Sequence, residues 1–189
     1  AHIAILEGET LTLEQVLRAI ILRSANEASN GVAEYVDGSV EAFAKHMTER
    51  AKELGMNDTH FVNCTGLPAE GHVTSAYDIA LMSRELILHH PDIRRFTTIW
   101  MDSLRDGQSM LVNTNKLVRF YPGATGLKTG STSTAKYCIS ATAEKDGMEL
   151  IAVILGGSTS DKRFADAKAL LNYGFASYSL VTAAPESPL

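Results

Sequence analysis

Two short clusters carry residue types able to do chemistry. Lys128-Thr129-Gly130-Ser131-Thr132 sets a fixed positive charge beside a hydroxyl and then a residue without a side chain. Where such a run leads into a strand, the lysine attracts an anion, the hydroxyl can bond it, and the glycine lets another backbone come close. An extended peptide ending in a carboxylate can dock along that edge through main-chain hydrogen bonds. Ser24-Ala25-Asn26 offers a hydroxyl and an amide two positions apart. The same residue types also cap helices and close solvated turns, so each cluster has a purely structural reading as well.

The elements expected around the triplet are helical. Thr12 and Gln15 have capping-box spacing, with Leu11 and Val16 as a hydrophobic staple, so a helix is expected from about Leu13. Its apolar stripe is Leu13, Val16, Leu17, Ile20 and Ile21. The pattern breaks over Arg23 to Glu27 and resumes with Ala28, Val32, Ala33 and Val36, which puts Ser24 and Asn26 at a helix junction. Asp37-Gly38 stops that helix, Ser39 caps a third running to Leu54, and Gly55 suits its C-terminal cap. From Met56 to Val73 there is no sustained period, and Asn63, Gly66, Pro68 and Gly71 mark an ordered loop. Ser75 and Asp78 then cap a fourth helix that ends by Pro91.

Beyond Phe96 the pattern turns to strands. Thr97–Met101 and Ser109–Asn113 can pair about an Arg105-Asp106-Gly107 turn. Lys136–Ala143 and Met148–Leu155 flank Glu144-Lys145-Asp146-Gly147, a strong hairpin signal that follows the lysine cluster. Ile151, Val153 and Leu155 alternate with Ala152 and Ile154, which predicts a strand covered on both faces and central in its sheet. Phe164, Ala167, Leu170 and Leu171 give a helical stripe between Asp161 and Phe175, suited to packing on that sheet. Residues 183–188 read as a linker.

Composition narrows the function classes. With 189 residues and 45% hydrophobic content, the chain can bury one substantial core. Seventeen Lys plus Arg against 22 Asp plus Glu leave a net charge of -5, which argues against nucleic acid as a partner. The sequence has no apolar run long enough for a membrane span and no signal-peptide pattern at its start. Cys64 and Cys138 make neither a disulfide framework nor a metal site. The stretch Gly123 to Thr129 is no phosphate loop, because Leu127 stands where glycine must precede the lysine. Neither a zinc helix nor a serine elbow is present, and the six histidines lack metal-ligand spacing. His72, in the long loop, is a candidate support for a site, with turn stabilisation as its alternative role.

Taken in order along the chain, these segments resemble the serine D-alanyl-D-alanine carboxypeptidases, the low-molecular-mass penicillin-binding proteins. That family carries three motifs, Ser-x-x-Lys, Ser-x-Asn and Lys-Thr-Gly. Ser24-Ala25-Asn26 matches the second and Lys128-Thr129-Gly130 the third. Similar family segments are Leu54-Gly55-Met56 with Thr59 to Asn63 and Thr65-Gly66-Leu67, then Asn113 to Leu117, and Arg163 to Ala167. The resemblance runs from about Gly8 to Phe175. It implies an α+β fold of the penicillin-binding-protein transpeptidase and β-lactamase type, with a helical subdomain over residues 10–95 beside an antiparallel sheet and packing helix over 96–178. Residues 1–180 then form a partial catalytic domain and 181–189 a tail.

One motif is missing. No Ser-x-x-Lys precedes Ser24, and Ser133-Thr134-Ala135-Lys136 has the right letters at a strand entry, where residues three apart point to opposite faces. Ser133 is therefore rejected as a nucleophile. The expectation is a domain lacking its N-terminal part, inactive alone, with a naturally inactive or peptidoglycan-binding relative and a β-lactamase-related hydrolase as alternatives. By resemblance, Ser24 relays a proton to the leaving amine, Asn26 bonds the substrate amide, and Lys128 polarises the network around Ser24. Thr129 and Arg163 are implied at the substrate carboxylate, Gly130 and Thr132 along the peptide groove, and the Ser131 N–H in the oxyanion hole. The implied partners are a stem peptide ending in D-Ala-D-Ala, β-lactams in the intact enzyme, and either a missing N-terminal segment or a second copy. No metal or cofactor is required, and the implied location is outside the cytoplasmic membrane.

Overall fold

A computed structural model describes residues 2–183. The tail expected at 181–189 therefore lies mostly outside the described residues. Among them, no helix is long and apolar enough to cross a membrane.

Local signals account for the helical half. Helix α1 (Leu13–Arg23) starts at a reciprocal cap in which Gln15 N–H donates to the Thr12 hydroxyl and Thr12 N–H to the Gln15 side chain. It stops at Ser24, whose backbone is left-handed with φ 54°. Helix α2 (Asn26–Asp37) follows after two residues, Ser24 and Ala25, and ends at Gly38, and α3 (Val40–Glu53) is capped by the Ser39 hydroxyl. Helix α4 (Ala76–His89) is capped by Ser75.

The loop before α4 is tied to it by one carboxylate. Asp78, only 2% exposed, accepts from the Asp58 N–H at 2.8 Å and the Thr59 hydroxyl at 2.7 Å. It also lies in the first turn of α4, where the helix dipole favours negative charge.

A short helical turn, α5 (Arg94–Thr97), leads into the hairpin β1 (Met101–Leu104) and β2 (Ser109–Val112). The first strand begins four residues later than the sequence suggested. Thr97 completes the helical turn instead, and its hydroxyl donates to the Thr125 carbonyl. Helix α6 (Leu117–Phe120) precedes the main sheet of β3 (Ala124–Thr132), β4 (Lys136–Lys145) and β5 (Met148–Gly157), all antiparallel in the order β3-β4-β5. Helix α7 (Ser160–Ser177) covers one face, burying Phe164, Ala167 and Leu171 against Ile139, Ala141, Ala143 and Ala152.

The strand expected to be central is at the edge of the sheet, and β4 is in the middle. The reason is geometric. Alternating apolar residues report that both faces of β5 are covered, here by α4 and α7, but not whether another strand lies alongside. The result is a ten-residue edge strand with no acidic or basic residue after Glu149, of the kind that invites pairing.

A second core lies under the N-terminal part, where Ile3, Leu22, Ala25 and Ala28 meet Phe96, Leu104 and Leu111. Arg105 clasps the first residues to it, bonding the carbonyls of Ile3 and Ala4 and both carboxylate oxygens of Glu9. That pairing holds the Glu9 carboxyl down at about 2. Both cysteines are free.

The loop clasp gives a stability test. Asp78→Ala leaves the Asp58 N–H and the Thr59 hydroxyl without their partner, and is expected to cost roughly 2–3 kcal/mol. A lowered urea midpoint at unchanged slope checks this, with Asp78→Asn expected in between.

Candidate active site

The two chemical clusters, 104 positions apart in sequence, meet in space. The Lys128 ammonium donates to the Ser24 hydroxyl and, at 2.8 Å, to the Thr129 carbonyl. Ser24 is presented by the sharp turn between α1 and α2, where its left-handed backbone ends one helix a residue before the next begins. Asn26 is the first residue of α2, half-buried, and its side-chain amide makes no hydrogen bond among the described residues.

Lys128 is supplied by β3, paired with Ser140 of β4. Burial, reinforced by the nearby Arg163 cation, lowers its ammonium from the ordinary 10.5 to about 8. Arg163, 7% exposed at the start of α7, donates to the carbonyls of Gly130 at 3.0 Å and Cys138 at 3.1 Å. Its plane also lies near the rings of Tyr137 and Phe164. Burial lowers its pKa as well. Every hydrogen bond these two cations make goes to a neutral oxygen. Two shielded cations with no carboxylate between them among the described residues form a site with an appetite for an anion.

The remaining residues of the cluster divide by role. A Cβ added at Gly130 would meet nothing within 4 Å among the described residues, so no neighbour there demands glycine, and its carbonyl is held by Arg163. The Thr132 hydroxyl accepts from Ala135 N–H and so stabilises the β3–β4 turn, while Ser131 sits exposed on β3. Ser133 belongs to that turn and Lys136 opens β4, so the downstream Ser-x-x-Lys look-alike is not on a helix.

A cavity of about 1000 Å³ opens between α4, the loop before it and β3. Leu54, Phe61, Met82, Leu86 and Leu127 line it, and Lys128 to Thr132 form its rim. His72 is on its wall, where its ring accepts from the Val62 N–H and burial lowers its pKa. Ser24 and Asn26 do not line the cavity and stand beyond Lys128.

The profile of the D-alanyl-D-alanine carboxypeptidase family matches residues 1–159. The chain belongs to this family. Among curated relatives, D-alanyl-D-alanine carboxypeptidase DacF of Bacillus subtilis is 47% identical over 174 residues, covering 90% of this chain and 44% of the relative. DacC of Escherichia coli is 32% identical over 179 residues, covering 93% and 44%. The chain thus spans under half the length of these carboxypeptidases. Among solved structures, penicillin-binding protein D2 of Listeria monocytogenes in its cefotaxime-bound form superposes with a TM-score of 0.83 at 35% identity, over 91% of this chain and 70% of that one. The carboxypeptidase DacD of Francisella tularensis gives 0.87 at 26% identity, over all of this chain and 58% of its own. The α+β fold is that of the penicillin-binding-protein transpeptidase domain, a helical region beside an antiparallel sheet.

Sequence reasoning missed two features of the carboxypeptidase-like site. Arg163 spends one amino group bracing β3 and β4 from beneath, and Thr114 bonds the Thr129 hydroxyl at 2.6 Å. No periodicity reports either contact. The nearest signal to Thr114 was the asparagine on each side of it.

The buried ammonium sets a pH dependence. Because folding lowers the pKa of Lys128, the cost of burying its charge is complete below pH 8 and fades as pH rises toward 10.5. Over that window Lys128 is expected to add about 3 kcal/mol of stability. Denaturation of the wild type and Lys128→Met across pH 7–10.5 checks it, with the difference between the two shrinking as pH rises.

Proposed function

We propose that this chain is the carboxylate-anchoring and proton-relaying part of a serine D-alanyl-D-alanine carboxypeptidase that trims the terminal D-alanine from peptidoglycan stem peptides. The observation that carries this reading is the buried Lys128 ammonium, bonded to Ser24 and standing beside Arg163 with no carboxylate partner among the described residues. Family membership supports the reaction class, and the cefotaxime-bound Listeria relative supports β-lactam binding. Residues 1–180 act as part of the catalytic domain, and the site works outside the cytoplasmic membrane, where its substrate is.

The acyl-accepting serine and its lysine come from a segment other than the 189 residues of this chain. The cavity rimmed by Lys128 to Thr132 has the apolar lining and the position to hold a helix carrying them. A strand of the same segment is the natural cover for the free edge of β5.

In the assembled site, the serine oxygen attacks the carbonyl carbon between the last two D-alanines, and the peptide C–N bond breaks to leave an ester. Ser24 passes a proton to the departing amine, and the Lys128 charge keeps the Ser24 oxygen oriented for that transfer. Asn26, whose amide has no partner within the described residues, bonds the substrate amide. The Ser131 N–H and the serine's own N–H hold the carbonyl oxygen as it becomes anionic. Thr129 receives the terminal carboxylate, Arg163 adds its positive charge from beneath through the Gly130 carbonyl it holds, and Gly130 and Thr132 leave the edge of β3 open to the peptide. Water then cleaves the ester.

Mass spectrometry after penicillin treatment tests this. The chain alone is expected to carry no adduct, whereas chain refolded with a segment bearing Ser-x-x-Lys gains one acyl group and releases D-alanine. Lys128→Ala is expected to slow that acylation by about a hundredfold. An adduct at Ser133 on the unsupplemented chain would overturn the reading.

A further inference from the structure

We propose that Thr114 is a positioning residue for the carboxylate anchor, setting which way the Thr129 hydroxyl proton points. This rests on the reading of Lys128, Thr129 and Arg163 as an anion site. Thr114 touches both halves of that site. Its N–H donates to the Leu22 carbonyl in the last turn of α1, two residues before Ser24, and its hydroxyl meets the Thr129 hydroxyl at 2.6 Å.

The surroundings hold Thr114 rigidly. Asn113 and Asn115 are 3% and 1% exposed. The Asn113 amide donates to the Ile99 carbonyl and its oxygen accepts from Asn115 N–H, while the Asn115 amide donates to the Gly126 carbonyl and its oxygen accepts from Leu117 N–H. Both side chains thus lock the backbone on either side of Thr114, and through Gly126 Asn115 also fixes the start of the strand that carries Thr129.

A hydroxyl has one proton, so in a pair of hydroxyls only one can donate to the other. If Thr129 donated to Thr114, it would turn only lone pairs toward the cavity it lines, and lone pairs repel a carboxylate. With Thr114 as donor, the Thr129 proton is left for the anion. No other acceptor among the described residues competes for the Thr114 proton. Thr114 itself does not line the cavity, so it acts only through Thr129.

The test is the preference of the 189-residue chain for a peptide ending in a free carboxylate over the same peptide ending in an amide. Affinities for diacetyl-lysyl-D-alanyl-D-alanine and its C-terminal amide are read by NMR titration. The wild type is expected to favour the acid. Thr114→Val keeps the shape and the N–H bond to Leu22 but removes the hydrogen bond that fixes the Thr129 oxygen, so the Thr129 hydroxyl is no longer held with its proton toward the anion, and the variant is expected to lose roughly tenfold of that preference. Thr114→Ser restores it. A merely structural role would weaken both peptides alike. Should the valine chain fail to fold, Thr114→Ala gives the same readout without a new methyl group. A hydroxyl-free variant that keeps the wild-type preference overturns the role of Thr114 alone, whereas a wild type with no preference overturns the anion site as well.

Discussion

A lysine ammonium shielded from water needs hydrogen-bond acceptors around it or its charge becomes costly, and Lys128 finds two, one of them brought from a distant part of the chain. Its partners are the Ser24 hydroxyl, reached across the α1–α2 junction, and a carbonyl of its own strand. That contact works only if α1 ends where it does and β3 lies close beside it. Much of the surrounding polar structure serves this juxtaposition. Thr114 bonds Leu22 on one side and Thr129 on the other, and Arg163 props the Gly130 carbonyl from beneath. A Cβ at Gly157 would come within 2.9 Å of the Tyr137 carbonyl and 3.2 Å of the Arg163 Cβ, so a small residue there lets β5 pass close to the arginine.

The two hydrophobic cores sit on either side of this site, and polar contacts join them. Thr97 bonds the Thr125 carbonyl and Arg94 the carboxylate of Glu149, Asn113 reaches back to the Ile99 carbonyl, and Ser83 ties α4 to the sheet through the Ser140 hydroxyl at 2.7 Å. Apolar burial stabilises each half but is indifferent to a small slide of one past the other. Hydrogen bonds between buried groups are not, because a misplaced partner leaves its mate unsatisfied. The cavity beside the sheet interrupts this packing, and it does so next to Lys128 and the residues that follow it.

How far the sequence could be read depended on the range of the interaction. The caps at Thr12, Ser39 and Ser75 and the turn at Asp146-Gly147 are local devices, and all appear where their spacing put them. The family resemblance was legible because its motifs fall in order along most of the chain, and the family match bears it out. The lateral position of β5 was not, since alternation reports faces and not neighbours. The start of β1 was misplaced because Thr97 suits a strand by type, yet its hydroxyl is used by the Thr125 carbonyl. Arg163 read as a ligand for substrate, while its bonds to two backbone carbonyls depend on strands folded together 25 and 33 positions away.

The charge state of Lys128 is the most direct measure of whether these halves form one buried site. Its side-chain resonance can be followed through pH in lysine-labelled protein and assigned by comparison with Lys128→Met. The predicted midpoint is about 8, moving upward in Arg163→Gln, which removes the neighbouring cation. A midpoint at the ordinary 10.5, unmoved by that substitution, would contradict the account.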